Sequence, residues 1–171
     1  MKIKNKYAVL TGIATALIVI ILIREIFQAG TAYFLGAEEI SFKISGLEFF
    51  CSFTITENQS TLSYILIFIS PILFIFIALE IGIRVLQKTV LGFYRYAAIV
   101  FQLLLIGFLI INIFYGAVTV VLKMEGNDWN RLVYYLDLSY EGGIIFMFLV
   151  IIIFAAYLNL SIKRVIGYIN A

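Results

Sequence analysis

Histidine is absent from all 171 residues, and proline and cysteine occur once each, as Pro71 and Cys51. Without imidazole the chain cannot build a His-ligated catalytic zinc, a His-ligated haem or a histidine proton relay. One cysteine excludes an intrachain disulfide and any Cys-pair motif, so the redox compartment is unreadable and Cys51 reads as a small packing residue. Charge is scarce too: Asp, Glu, Lys and Arg make up 13% of the chain, with a net charge of +2. No basic patch points to nucleic acid, and no Gly-rich loop offers a phosphate cradle.

What the chain has instead is apolar surface: 64% hydrophobic residues and a mean hydropathy of +1.10, the composition of a chain dissolved in lipid. Four stretches are free of charge, Tyr7 to Ile23, Asn58 to Leu79, Tyr96 to Leu122 and Gly142 to Ile162, against the roughly 20 residues needed to cross a bilayer. The first is long for a signal-peptide core and lacks a clear cleavage site, so it reads as a mature helix. Between the first two, Ile40, Phe42 and Ile44 alternate with Ser41, Lys43 and Ser45 before a break at Gly46, the period of a strand. The expected fold is an all-α membrane protein, one domain over residues 1–171, with transmembrane helices near 7–28, 59–86, 93–123 and 141–163 and a short β-hairpin near 39–56. Lys2, Lys4, Lys6, Arg84, Lys88, Arg95, Lys163 and Arg164 fall on one side of these spans; only Arg24, Lys43, Lys123 and Arg131 fall on the other, with most of the acids. The positive-inside rule then places both termini in the cytoplasm, and the Ile- and Phe-rich helices fit a bacterial inner membrane.

The stretch that is not anonymous helix begins at Arg24-Glu25-Ile26-Phe27-Gln28, followed by Gly30 and the alternating segment. That layout resembles the opening of the site-2 protease family of intramembrane zinc metalloproteases, where a helix carrying H-E-x-x-H precedes a membrane-associated β-hairpin. Glu25 stands where the resemblance puts the general base, whereas Arg24 and Gln28 stand where the two zinc-binding histidines would be. Asp128, in the turn Glu125-Gly126-Asn127-Asp128, matches by position the family's third ligand, and Ser70-Pro71 resembles its helix-breaking turn. Read without the resemblance, Asn127-Asp128 is an ordinary helix N-cap and Trp129 an interfacial anchor. Glu80 and Arg84, four residues apart, form an expected ion pair on one helix face. The resemblance implies that Arg24, Glu25, Gln28 and Asp128 converge as the remnant of a metal site, with Arg24 paired to Asp128.

A zinc site of this kind needs two imidazoles and a carboxylate around an open position for water. With guanidinium and amide in their place, neither a metal nor a cofactor is expected, and proteolysis is not. The expected partners are the lipid bilayer and other membrane proteins. Two functions remain: a protease-like pseudoenzyme that binds transmembrane segments or membrane-protein partners, or a small structural or assembly subunit of a larger membrane complex.

Overall fold

A computed structural model describes residues 3–45, 48–54, 60–89, 92–124 and 127–170. The chain runs α1 (Ile3–Ile18), a five-residue π-helical segment (Val19–Ile23), α2 (Arg24–Phe34), β1 (Glu38–Ser45), β2 (Glu48–Thr54), α3 (Thr61–Lys88), α4 (Phe93–Val121), α5 (Asp128–Tyr135) and α6 (Tyr140–Asn170). Four helical stretches are long and apolar enough to cross a membrane: Lys6–Phe34, Thr61–Lys88, Phe93–Val121 and Tyr140–Tyr168. The hairpin joins the first two, as the alternation predicts; residues 46, 47, 55 and 56 of the expected hairpin lie outside the described residues.

The first helix departs most from expectation. It does not stop near residue 28 at its charged pentad but continues to Phe34, with Gly30 inside it. The turn falls instead at Gly36, whose φ of 83° suits glycine; the Ala37 N–H donates to the Ala32 carbonyl at 2.9 Å, a Schellman closure. Midway, the Arg24 N–H reaches back to the Val19 carbonyl, one residue further than an α-helix allows. That inserted residue rotates the helix about its axis, so α1 packs chiefly on α4 while α2 packs on α3 and β2.

In α3, Pro71 cannot donate to the Ile67 carbonyl. The buried Ser70 hydroxyl donates to that carbonyl at 2.8 Å, so α3 continues through the proline with this carbonyl satisfied in an apolar setting. Ser60 caps the same helix, its Oγ accepting from the Ser63 N–H at 3.3 Å. One apolar core joins α3, α4 and α6 through Ile75, Leu79, Leu105, Leu109 and Val165; a second, around Phe68, Ile113, Trp129 and Leu132, ties α5 to the bundle. β1 and β2 pair antiparallel with Phe42 opposite Cys51 and Ile44 opposite Phe49. Ile40 and Phe53 dock that face of the hairpin against Ala32 and Ile67.

Two expected contacts are replaced by others. Glu80 does not pair with Arg84: its Oε1 accepts from the Tyr157 hydroxyl at 2.7 Å and from Arg164 at 3.4 Å, both on α6. Trp129 is not an interfacial anchor but is 3% exposed, seated against Gly116 of α4.

Candidate functional site

The end of the bundle that carries the hairpin encloses a cavity of about 760 Å³. α2 contributes Arg24, Glu25 and Gln28 to its wall, α4 contributes Phe108, Asn112 and Tyr115, and α5 contributes Asp128 and Arg131 with Asn127 just before it, β2 closing one side. The structure thus brings all four sequence-predicted positions to one cavity. Arg24 and Gln28 share a face at i, i+4, and the π-helical insertion turns that face inward.

Glu25 is 3% exposed and Gln28 5%, so these two polar side chains turn into the protein and not to its surface. One Glu25 carboxylate oxygen is paired with Arg24; the other accepts the Cys51 N–H at 2.9 Å, tying α2 to the outer edge of β2. The Arg24 guanidinium also lies 5.6 Å from the Phe108 ring centroid. Arg24 pairs with its neighbour Glu25 and not, as expected, with Asp128: among the described residues Asp128 has no ion pair within 4 Å. Asn127 is the α5 N-cap, its Oδ1 accepting from the Trp129 N–H at 2.8 Å, which leaves Asp128 in the first turn facing the cavity.

Burial pushes the Asp128 carboxyl up to about 6 from an ordinary 3.8; Arg24 and then Arg131 oppose that shift, and the Glu25 charge adds to it. The folded chain therefore holds this proton more tightly than the unfolded chain. The resulting stabilisation is full below about pH 4 and is lost as pH rises through about 6. Asp128→Asn is expected to flatten this dependence and to raise stability at pH 8, by at most about 3 kcal/mol. Denaturation midpoints of the solubilised protein at pH 4 and pH 8 check it: an Asp128→Asn variant no more stable than wild type at pH 8 contradicts the assignment.

The residues that sequence reasoning missed are Asn112, Phe108, Arg131 and the Cys51 backbone. Asn112 carries a readable signal, an amide inside an apolar span, and its Oδ1 accepts from Trp129 Nε1 at 3.1 Å. Arg131 lies one helical turn beyond Asp128, a spacing that also could have been read. Among the described residues no group of three or more His, Cys, Asp or Glu side chains is disposed to hold a metal ion. Chemically the wall offers two guanidinium groups, two carboxylates and three amides around a space bounded by a strand edge. The fold and site define a mostly helical protein with four apolar, membrane-length helices and a polar cavity beneath a hairpin. No protein-family model, curated protein or solved structure matches the chain.

Proposed function

We propose that this chain is an integral membrane protein, a histidine-less relative of the site-2 proteases, which binds segments of partner membrane proteins in its polar cavity and does not cleave them. The observation that carries the reading is the placement of Arg24, Glu25, Gln28 and Asp128 on one cavity wall with β2 alongside. Because the Cys51 N–H points to Glu25 and away from β1, the antiparallel alternation turns the backbone groups of Phe49 to the same outer edge. An extended segment there would find the Phe49 backbone on β2, beyond the Cys51 N–H that Glu25 already occupies, and both signs of charge on the wall, terms that support strand addition. The cation asymmetry supports a reading with both termini in the cytoplasm and the hairpin outside, and the Ile- and Phe-rich helices support one in a bacterial inner membrane.

One experiment tests orientation and binding separately. In a Cys51→Ser background, Ser52→Cys puts a thiol on the cavity wall, to be labelled on intact cells with a membrane-impermeant, photoreactive maleimide. Labelling from outside is expected, and photolysis is expected to give discrete adducts whose cross-linked peptides map to apolar segments of other membrane proteins. Failure to label from outside, with labelling in inverted vesicles, reverses the orientation. Labelling without adducts, or adducts indistinguishable from those at a Phe34→Cys control, which is exposed at the same end but outside the cavity, removes the binding reading in favour of the assembly subunit.

A further inference from the structure

A second cavity, of about 790 Å³, opens at the same end of the bundle and has a different chemistry. Among the described residues its lining holds four tyrosines, Tyr64, Tyr134, Tyr135 and Tyr140, and two cations, Lys123 and Arg131, and no described carboxylate. That is unusual on this side of the chain, where acids outnumber cations nine to four. Neither cation has an ion-pair partner within 4 Å among the described residues. Each rests on a ring instead: the Lys123 ammonium lies 4.3 Å from the Tyr140 centroid and the Arg131 guanidinium 5.3 Å from that of Phe68.

Lys123 is held there by the backbone. It closes α4 with a φ of 53°, a left-handed conformation that non-glycine residues adopt at a cost, secured by the Met124 N–H on the Thr119 carbonyl at 2.9 Å. Aromatic faces stabilise such cations without neutralising them, so the cavity keeps its positive charge. Tyr135, pushed up by burial and then by Tyr64 and Tyr134, remains a neutral hydroxyl donor at physiological pH.

We propose that this cavity binds the phosphate-bearing headgroup of an anionic lipid. Its walls come from α5 and β2 together with the first two turns of α3, the end of α4 and the start of α6, and helix ends are the level at which headgroups lie if those helices cross a bilayer. Tyr33, Phe34 and Tyr134, at 70%, 87% and 76% exposure, form at that end the aromatic belt found at membrane interfaces. The phosphate oxygens accept from Lys123, Arg131 and tyrosine hydroxyls, while the glycerol and first methylenes cover Val120, Val133 and Phe53. The site shares Arg131 with the polar cavity but needs no partner segment there, so either reading can fail alone.

The test is native mass spectrometry of the full chain released from nanodiscs holding equal amounts of phosphatidylglycerol and phosphatidylcholine. Wild type is expected to retain phosphatidylglycerol preferentially. Lys123→Gln should cut that preference roughly fivefold and Lys123→Gln with Arg131→Gln roughly thirtyfold, at the usual value of a basic residue near an anionic membrane surface. Lys123→Arg should preserve it, as should Lys88→Gln at the opposite end. If the substituted proteins fail to fold, the wild-type preference still decides, since it must fall as salt is raised to molar levels. No preference in wild type, an unchanged preference in the double variant, a salt-independent preference, or displacement of the lipid by millimolar inorganic phosphate would overturn the proposal, the last in favour of a soluble phosphate ligand.

Discussion

Enlarging Gly116 is expected to unseat α5 and with it one wall of the polar cavity. A Cβ at Gly116 would lie 2.1 Å from Trp129 Cδ1 and 2.5 Å from both Cγ and Nε1. The obstacle is a rigid indole, 3% exposed and hydrogen-bonded to Asn112, so it cannot yield as the end of a flexible side chain would. Even Gly116→Ala should therefore cost about 1–3 kcal/mol, and Gly116→Leu more, by expelling the indole. Trp129→Ala approaches the same loss from the other side, at about 3–5 kcal/mol, through the space it leaves. Gly107, on the same helix, is the internal control, because a Cβ there meets nothing within 4 Å. Gly107→Ala should be neutral or stabilising by up to about 1 kcal/mol, the usual gain of alanine over glycine inside a helix. Denaturant unfolding of the solubilised variants and protease sensitivity between residues 124 and 140 measure both; a Gly116→Ala protein as stable as Gly107→Ala would mean that Trp129 is not seated there.

The parts of this structure that were legible in the sequence are those fixed by period and composition. Charge-free runs of membrane length gave four helices, and the alternation of Ile40, Phe42 and Ile44 gave a strand. Charges were read less well, because a charge in an apolar run has two physical resolutions: it can end the run at water, or turn inward to a partner. Arg24 and Glu25 took the second course, and the helix they were expected to terminate continues to Phe34. The device that turns them is a change of hydrogen-bond register across Val19-Ile20-Ile21-Leu22-Ile23, five interchangeable aliphatic residues that carry no sequence signal for it. Glu80 shows the same limit from the other direction. Spacing identifies Arg84 as a possible partner, but Arg164 and Tyr157, some 80 positions away, are brought to the carboxylate only by the packing of α6 on the bundle. At the site, Arg24, Glu25, Gln28 and Asp128 were expected to converge and do line one cavity, whereas the pairing of Arg24 with Glu25 in place of Asp128 was not legible, since it depends on which way one guanidinium turns.

That pairing sets the largest expected difference between two substitutions at adjacent positions. The Glu25 side chain is 4% exposed and that of Arg24 23%, so the carboxylate depends on the guanidinium more than the reverse. Arg24→Ala leaves the Glu25 charge buried in a cavity that already contains Asp128, and removing one partner of a buried pair costs about 3–5 kcal/mol. Glu25→Gln keeps an oxygen that can accept from the Cys51 N–H and lets Arg24, still resting on Phe108, turn toward Asp128. Its expected cost is about 1 kcal/mol, the difference between a charged and a neutral acceptor. The double variant Arg24→Ala with Glu25→Gln removes both charges and should be more stable than Arg24→Ala alone, with a coupling of at least about 1 kcal/mol, well outside ordinary additivity. Cys51 supplies an independent readout. Burial first, and then the Glu25 charge, push its thiol up to about 11, so alkylation at pH 8 should be slow in wild type and moderately faster in Glu25→Gln, where the second cause is gone but the first remains. A double variant whose loss equals the sum of the two single losses, or a Cys51 thiol indifferent to Glu25→Gln, would mean that Arg24, Glu25 and the β2 edge do not act as one unit.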